Sequence, residues 1–181
     1  MLKTYIINGV GESGKNLFIE YINDLIFKNS INNTSIVDYS TVDLPKEVSV
    51  LLGWDGVNKS DEARNLISGI KDLWKKFNNG PVVESIELVK ILLEDIKHYD
   101  ENIYLFIHCR EPEEILELKE ELSKYCETKS ILIERPGHKG PNCSKDDLDT
   151  IKSIQYDIHH VCREKEDLRN SAIHFLYNET F

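Results

Sequence analysis

The sequence has no long hydrophobic run and few basic residues. No apolar stretch approaches the ~20 residues of a membrane-spanning helix, and residues 1–4 lead into a strand pattern instead of a secretory signal. Only 22 Lys and Arg stand against 32 Asp and Glu, a net charge of −10. Non-specific binding to nucleic acid or anionic lipid needs a clustered basic surface. We therefore expect a cytoplasmic protein that binds neither membranes nor nucleic acid.

Cysteine is also sparse. The sequence has Cys109, Cys126, Cys143 and Cys162. These residues form no C-x-x-C pair and no short disulfide-rich frame, so we expect reduced thiols. A metal shared by His159, His160 and Cys162 is not favoured, because alternation along a strand would place neighbouring side chains on opposite faces.

The chain shows no repeat, low-complexity tract or linker, and 181 residues suit one domain. Short apolar runs alternate with segments of helical period. The predicted strands lie at 2–8, 35–39, 103–109, 130–134 and 156–161. This alternation predicts an α/β fold in which helices cover both faces of a mostly parallel five-stranded sheet.

Two segments interrupt the alternation. Residues 40–99 carry only helical patterns, including a stripe that begins after Asp61 and consists of Ala63, Leu66, Ile67, Ile70, Leu73, Trp74 and Phe77. Residues 135–149 contain Gly, Pro, Asn and Ser without an apolar period, which predicts a loop. The sequence thus predicts one domain, 1–181, with a helical excursion and a long loop.

A glycine-rich turn joins the first strand to the first helix. Residues 9–15 match G-x-x-x-x-G-K, the phosphate loop of nucleoside triphosphate-binding proteins. Glycines let the backbone curl with its amides inward, the helix N-terminus adds about half a positive charge, and Lys15 supplies a full one. We expect nucleotide contacts from Gly9, Gly11, Glu12, Ser13, Gly14, Lys15 and Asn16.

The metal-binding part of this pattern departs from the usual one. Asn16 stands where a Ser or Thr hydroxyl normally ligates Mg²⁺, and His108 ends the strand at which a carboxylate is expected. Asn16 or a water that it holds serves as the ligand, or nucleotide oxygens and other residues bind the metal. A third possibility is a site that binds nucleotide without turnover.

The loop, the non-hydroxyl residue Asn16, the stretch 107–111 (I-H-C-R-E) and Arg135 resemble the nucleoside monophosphate kinase branch of P-loop proteins. The resemblance is to its bacteriophage-type deoxynucleoside monophosphate kinases and the phosphomevalonate kinases of animals. It implies a three-layer P-loop fold with an acceptor-binding excursion at 40–99 and a lid at 135–149. It also implies transfer of the γ-phosphoryl of ATP, with Mg²⁺, to another phosphate.

Such a transfer needs positioned cations, because its transition state spreads negative charge over oxygens. Lys15, Arg110 and Arg135 are the predicted catalytic residues. Arg110 follows a buried strand, at the edge where open α/β sheets bind ligands; the alternative is a salt bridge to Glu113 or Glu114. Arg135 begins the lid-like segment, which also carries Lys139 and Lys145.

The acceptor side is less distinctive. Arg64 and Lys71 share a predicted polar helix face with Ser68 and Lys75, and either bind the acceptor phosphate or belong to a solvated face. Ser40 and Asp43 follow the second strand and are candidates for acceptor or Mg²⁺ contacts. Alternatively, Ser40 or Thr41 caps the next helix.

Two other functions remain open. One is a regulatory nucleotide-binding protein without transferase activity; the other is a small NTPase that acts on a macromolecule. Residues 58–61 match the N-K-x-D guanine signature, but they follow a turn instead of a buried strand. Capping of the next helix by Ser60 or Asp61 explains that match better.

Overall fold

Strands and helices alternate as predicted. The computed structural model describes residues 1–31, 33–58, 60–99, 101–138 and 151–180. The elements in this part are β1 (Leu2–Asn8), α1 (Lys15–Lys28), β2 (Thr34–Ser40), α2 (Asp43–Leu51), α3 (Asp61–Asn78), α4 (Gly80–Tyr99), β3 (Asn102–His108), α5 (Pro112–Leu122), β4 (Glu127–Glu134), β5 (Ile158–Val161) and α6 (Lys165–Thr180). None of the described helices is long and apolar enough to cross a bilayer.

The five strands form one parallel sheet in the order β2-β3-β1-β4-β5. β1 is central, with Ile7 beside His108 of β3 and Asn8 beside Leu132 of β4. Parallel strands bring their carboxyl ends to one edge of the sheet, where ligands of such folds bind. The segments after β1, β3 and β4, which contain Lys15, Arg110 and Arg135, therefore begin at the same edge.

Helices cover both faces of the sheet, which confirms the predicted layers. Side chains alternate along β1: Tyr5 and Ile7 join the apolar cluster with α1 and α6, whereas Ile6 joins the cluster with α4 and α5. The carboxyl halves of β1, β3 and β4 are buried on both sides, and their sequences there are short continuous apolar runs.

The excursion between β2 and β3 is helical, as predicted, but the predicted apolar stripe of α3 is buried only in part. Leu73 and Phe77 are 69% and 85% exposed, whereas Lys71 is only 5% exposed. The Lys71 Nζ lies 2.5 Å from Glu111 Oε2 and 3.0 Å from Glu114 Oε1. The placement of Lys71 on a polar face opposite the apolar stripe is thus wrong, because two carboxylates neutralise its charge inside the protein.

α3 begins at a side-chain cap. Ser60 Oγ accepts a hydrogen bond from the Ala63 amide at 3.3 Å, and Asp61 and Glu62 occupy the first turn. This confirms the capping interpretation of the N-K-x-D stretch. Lys59, within that stretch, lies outside the described residues.

A buried carboxylate fixes the end of α6 to the sheet. Glu179 Oε2 accepts hydrogen bonds from the Tyr5 hydroxyl at 2.7 Å and Lys3 Nζ at 3.2 Å, and Oε1 accepts one from Lys129 Nζ at 2.8 Å. Burial alone would raise the pKa of Glu179, but the bonds from Lys129, Tyr5 and Lys3 lower it below its ordinary value. The ionised carboxylate thus joins α6 to β1 and β4.

Candidate functional site

The backbone of the phosphate loop requires glycine at its two ends. Gly9 has φ 148° and Gly14 has φ 104°, conformations that side-chain-bearing residues rarely adopt. A Cβ on Gly9 would lie 2.5 Å from the Ile133 carbonyl oxygen and 2.6 Å from Ser13 Oγ. The first glycine is therefore needed for conformation and for space against β4.

A Gly9→Ala variant is expected to lose about 2 kcal/mol of stability, because its backbone would be strained and its methyl group would press on the Ile133 carbonyl. Urea unfolding measures the loss. Gly69→Ala, on α3 with no atom within 4 Å of the added methyl group, is the control and is expected to stabilise by up to about 1 kcal/mol. Equal stability of Gly9→Ala and the wild-type protein would contradict the loop geometry.

Lys15 begins α1 and folds back over the loop. Its Nζ donates hydrogen bonds to the carbonyl oxygens of Gly9 at 2.6 Å and Val10 at 2.9 Å. Burial, and then the positive charge of Arg110, lower the pKa of Lys15 to about 8. The loop therefore holds a desolvated ammonium group near a second cation.

Arg110 follows β3, and its exposed side chain has no ion pair among the described residues. The alternative salt bridge to Glu114 is not formed: Glu114 lies 3.0 Å from Lys71 and 3.7 Å from Lys75. Arg110 thus lies at the edge of the sheet that carries Lys15, and its catalytic role stays a prediction. Both cations are available to an anion at the mouth of the sheet.

Asn8, which the sequence analysis did not single out, ties the loop to β3. Its Oδ1 accepts a hydrogen bond from the Gly9 amide at 2.7 Å, and its Nδ2 donates to the Arg110 carbonyl oxygen at 3.2 Å and the Tyr156 hydroxyl at 2.7 Å. Asn8 could have been predicted from the sequence, because it is a polar residue at the end of an apolar strand, directly before the glycine loop. Asn8 sets the position of the loop relative to Arg110.

The remaining loop residues differ in exposure. Ser13 is buried, its amide donates to the Val10 carbonyl at 3.2 Å, and its Oγ has no hydrogen-bond partner. Glu12 is exposed, with φ 61°. An unpaired buried hydroxyl is costly, so Ser13 Oγ is a donor that the described residues leave unused.

Asn16 lies exposed in the first turn of α1 and borders an open groove of about 260 Å³ between α1 and β2. The groove is lined by Asn16, Ile19, Glu20, Asn23, Ile36 and Asp38. Asp38 Oδ1 is 2.8 Å from His108 Nε2 on the neighbouring strand. Of the two residues that weakened the metal prediction, Asn16 thus lines this groove and His108 contacts Asp38, which also lines it.

Ser40 and Asp43 make local contacts after β2. Asp43 Oδ2 accepts a hydrogen bond from the Ser40 amide at 2.9 Å, and Asp43 Oδ1 lies 2.7 Å from Lys46 Nζ. The N-cap of α2 is Val42, which gives no side-chain cap, and the Thr41 hydroxyl donates to the His108 carbonyl at 3.3 Å. Neither Ser40 nor Thr41 is the N-cap residue.

Lys71 belongs to a buried charge network beneath the excursion. Burial alone would lower the pKa of Lys71, but the carboxylates of Glu111 and Glu114 raise it overall. The Cys109 thiol donates a hydrogen bond to Glu114 Oε1 at 3.0 Å, and burial followed by the Glu114 charge raises the pKa of Cys109. Lys71 thus joins α3 to α5, while Arg64 lies half-buried near the start of α3.

Only the first part of the lid-like segment is described. Arg135 is exposed just beyond β4, and His138 Nε2 lies 3.1 Å from the carbonyl oxygen of Gly11 in the phosphate loop. Lys139, Lys145 and the rest of the segment to residue 149 lie outside the described residues. The segment after β4 therefore contacts the loop at its start, and its role as a lid stays a prediction.

Comparisons with known proteins identify the fold. No protein-family model and no curated protein matches the chain. An APS kinase of Mycobacterium tuberculosis is similar in structure, with a TM-score of 0.50, 10% identity and 97% of each chain covered. A sugar kinase of a Janibacter species has a TM-score of 0.51 and 14% identity, over 98% of this chain and 95% of the other. These identities show the fold alone: the chain has the α/β fold of P-loop kinases.

Proposed function

We propose that this chain is an ATP-dependent phosphotransferase that moves the γ-phosphoryl of ATP to a phosphorylated small molecule, in the manner of a nucleoside or deoxynucleoside monophosphate kinase. The observation that carries the proposal is the phosphate loop at the carboxyl edge of the sheet, where Lys15 lies over the Gly9 and Val10 carbonyls and Arg110 follows the adjacent strand. Burial first, and then the charge of Arg110, lower the pKa of Lys15. Like charges repel in a partly desolvated site. A polyphosphate between them would relieve that repulsion.

Each group has a distinct part in the proposed reaction. Loop amides and Lys15 hold the β and γ phosphates, and the helix N-terminus adds its partial positive charge. Arg110 and Arg135 neutralise charge on the transferred group. Arg64 and Lys71, with Ser40 and Asp43, remain the proposed acceptor contacts, although Lys71 would have to leave its pair of carboxylates to reach a ligand.

The donor atoms beside the loop fit Mg²⁺, which prefers oxygen ligands. Among the residues that line the groove at Asn16, the polar side chains are two carboxylates and two amides, and no Lys or Arg contributes. Asn16 follows Lys15 directly and is the proposed contact nearest to the phosphates. When bound, Mg²⁺ would neutralise phosphate charge and orient the terminal group.

Two observations favour a second function. β3 ends in His108 instead of a carboxylate, and Lys15 already bonds to two carbonyls of its own loop. A protein with these features can bind a nucleotide as a regulator without transferring its phosphoryl group. Tight ATP binding that does not change with Mg²⁺, and no turnover with any acceptor, would favour this function.

Thermal unfolding with a nucleotide and acceptor panel tests both functions. ATP at 100 times its Kd is expected to add about 2.7 kcal/mol, a rise in Tm of about 5–11 °C for a chain of this length. The transfer assay then follows ADP with ribo- and deoxyribonucleoside monophosphates, phosphomevalonate and a sugar, the last because one similar structure is named as a sugar kinase.

Acceptor-dependent ADP formation with a phosphorylated acceptor supports the kinase proposal. Transfer only to the sugar would support the claim that the chain is a phosphotransferase, but it would contradict the claim that its acceptor is phosphorylated. ATP binding without ADP formation would point to the regulatory function, and no stabilisation by any nucleotide would contradict both.

A further inference from the structure

The edge of the sheet lacks a carboxylate at the end of β3 and gains one from β2. His108 ends β3, and its imidazole is a poor ligand for Mg²⁺, which takes oxygen donors. His108 Nε2 instead contacts Asp38 Oδ1 at 2.8 Å. A carboxylate thus lies beside the position at which β3 has none.

The groove next to Asp38 has the chemistry of a hard-cation site. Its polar lining residues are Asn16, Glu20, Asn23 and Asp38. All four offer carboxylate or amide oxygens, and no cationic side chain lines the groove. Asn16 directly follows Lys15, so the groove begins at the phosphate loop.

Asp38 has an oxygen left to offer. Its side chain is 45% exposed, and among the described residues only Oδ1 has a partner, His108. A close contact at one carboxylate oxygen restricts the direction in which the other oxygen is presented, as outer-shell partners do for metal ligands. His108 is therefore a positioning residue for Asp38.

Other carboxylates near the site are less suited to this role. Glu20 lies four residues beyond Asn16 on α1, about 6 Å further from the loop at 1.5 Å per residue. Both oxygens of Asp43 are engaged, one by the Ser40 amide and one by Lys46. Of the two carboxylates that line the groove, Asp38 is the one for which the described residues include a neighbouring side chain that orients it.

We propose that Asp38, oriented by His108, is the anionic protein ligand, directly or through one water, of the divalent cation that accompanies a nucleotide at the phosphate loop. Asn16 offers its amide oxygen to the same ion. The carboxylate that β3 lacks is thus supplied by the adjacent strand. This inference rests on the proposed function, because it needs ATP at the loop together with a divalent cation.

Mn²⁺ is the probe, because free Mn²⁺ is measured directly by electron paramagnetic resonance. The full chain is titrated with Mn²⁺ in the presence of ATP, and binding of metal-free ATP is measured separately in EDTA. Asp38→Asn is expected to lower the affinity of the protein for Mn·ATP about tenfold, the loss typical of altered metal shells, and to leave binding of metal-free ATP unchanged. Asp24→Asn, an exposed site on α1, is expected to match the wild-type protein in both.

The double variant Asp38→Asn, His108→Asp returns a carboxylate to the site from β3 and is expected to recover Mn·ATP affinity. Failure to recover would assign the loss to the broken Asp38–His108 contact and overturn the proposal. Wild-type Mn·ATP affinity in Asp38→Asn, or equal losses with and without metal, would also overturn it. A wild-type protein that binds no ATP in EDTA or with Mn²⁺ would instead contradict the proposed function.

Discussion

Replacing Lys15 by methionine is expected to lower kcat/KM for phosphoryl transfer about 1,000-fold, the scale of losing one positioned charge on a transferred phosphoryl group. Methionine keeps most of the apolar length of lysine and removes the ammonium group that lies on the Gly9 and Val10 carbonyls. Steady-state ADP formation measures the loss of activity. The same variant is expected to lose most of its thermal stabilisation by ATP.

The Lys15 ammonium also predicts a pH dependence. Its pKa in the free protein is about 8, so it is protonated below that pH and loses its charge above it. Bound phosphates favour the protonated form, so ATP affinity is expected to fall as pH rises through about 8. The Lys15→Met variant is expected to lack this fall.

Lys28→Met is the matched control, since Lys28 lies exposed in the last turn of the same helix and, among the described residues, pairs with Asp24 alone. It is expected to retain wild-type kcat/KM. A Lys15→Met variant within tenfold of the wild-type kcat/KM would remove the phosphate loop from the proposed mechanism.

Replacing Glu179 by glutamine is expected to cost about 3 kcal/mol of stability, because Lys3 and Lys129 then keep, within the described part of the chain, only the half-exposed carboxylate of Glu127. The side chain of Glu179 is only 5% exposed, and it receives Lys3, Lys129 and the Tyr5 hydroxyl. Glutamine keeps the shape of the side chain and removes only its charge. In a chain of this length the loss lowers Tm by about 6–12 °C.

The charge of Glu179 also predicts how the stability of the protein changes at acid pH. The pKa of Glu179 in the folded protein is below the ordinary 4.5. The contribution of Glu179 to the free energy of unfolding is therefore complete above pH 4.5, and it is lost as the pH falls through the folded-state pKa. Stability measured by urea unfolding is therefore expected to fall less steeply below pH 4.5 in Glu179→Gln than in the wild-type protein. Glu166→Gln, exposed in the first turn of α6, is the control. Equal stabilities of all three proteins at neutral pH would contradict the anchoring role.

The phosphate loop was predictable because its determinants are local. Glycine at both ends, a lysine at the first helical position and an apolar strand before the turn lie within residues 2–15, and the structure places them as a strand, a loop and a helix. Arg110 was predictable for a related reason: a polar residue directly after a buried strand must lie at the carboxyl edge of a parallel sheet.

The partners of these residues were not predictable. Asp38 and His108 are far apart in the sequence and meet only because β2 pairs with β3 in a particular register. The helical period placed Lys71 on a polar face opposite the apolar stripe, but period alone does not show that the helix with Glu111 and Glu114 at its start packs nearby. Carboxylates from another element of the fold offset the free-energy cost of burying a charged lysine.

The sequence by itself determined the order of strands and helices, the parallel sheet and the phosphate loop, because these depend on apolar period, glycine conformation and neighbouring residues. Only the tertiary structure decided which charges are neutralised: Lys71 by α5, Glu179 by β1 and β4, and Asp38 beside His108, while Arg110 stays beside Lys15. The physical reason is that electrostatic energies depend on distance and burial, and strand register and helix packing set both.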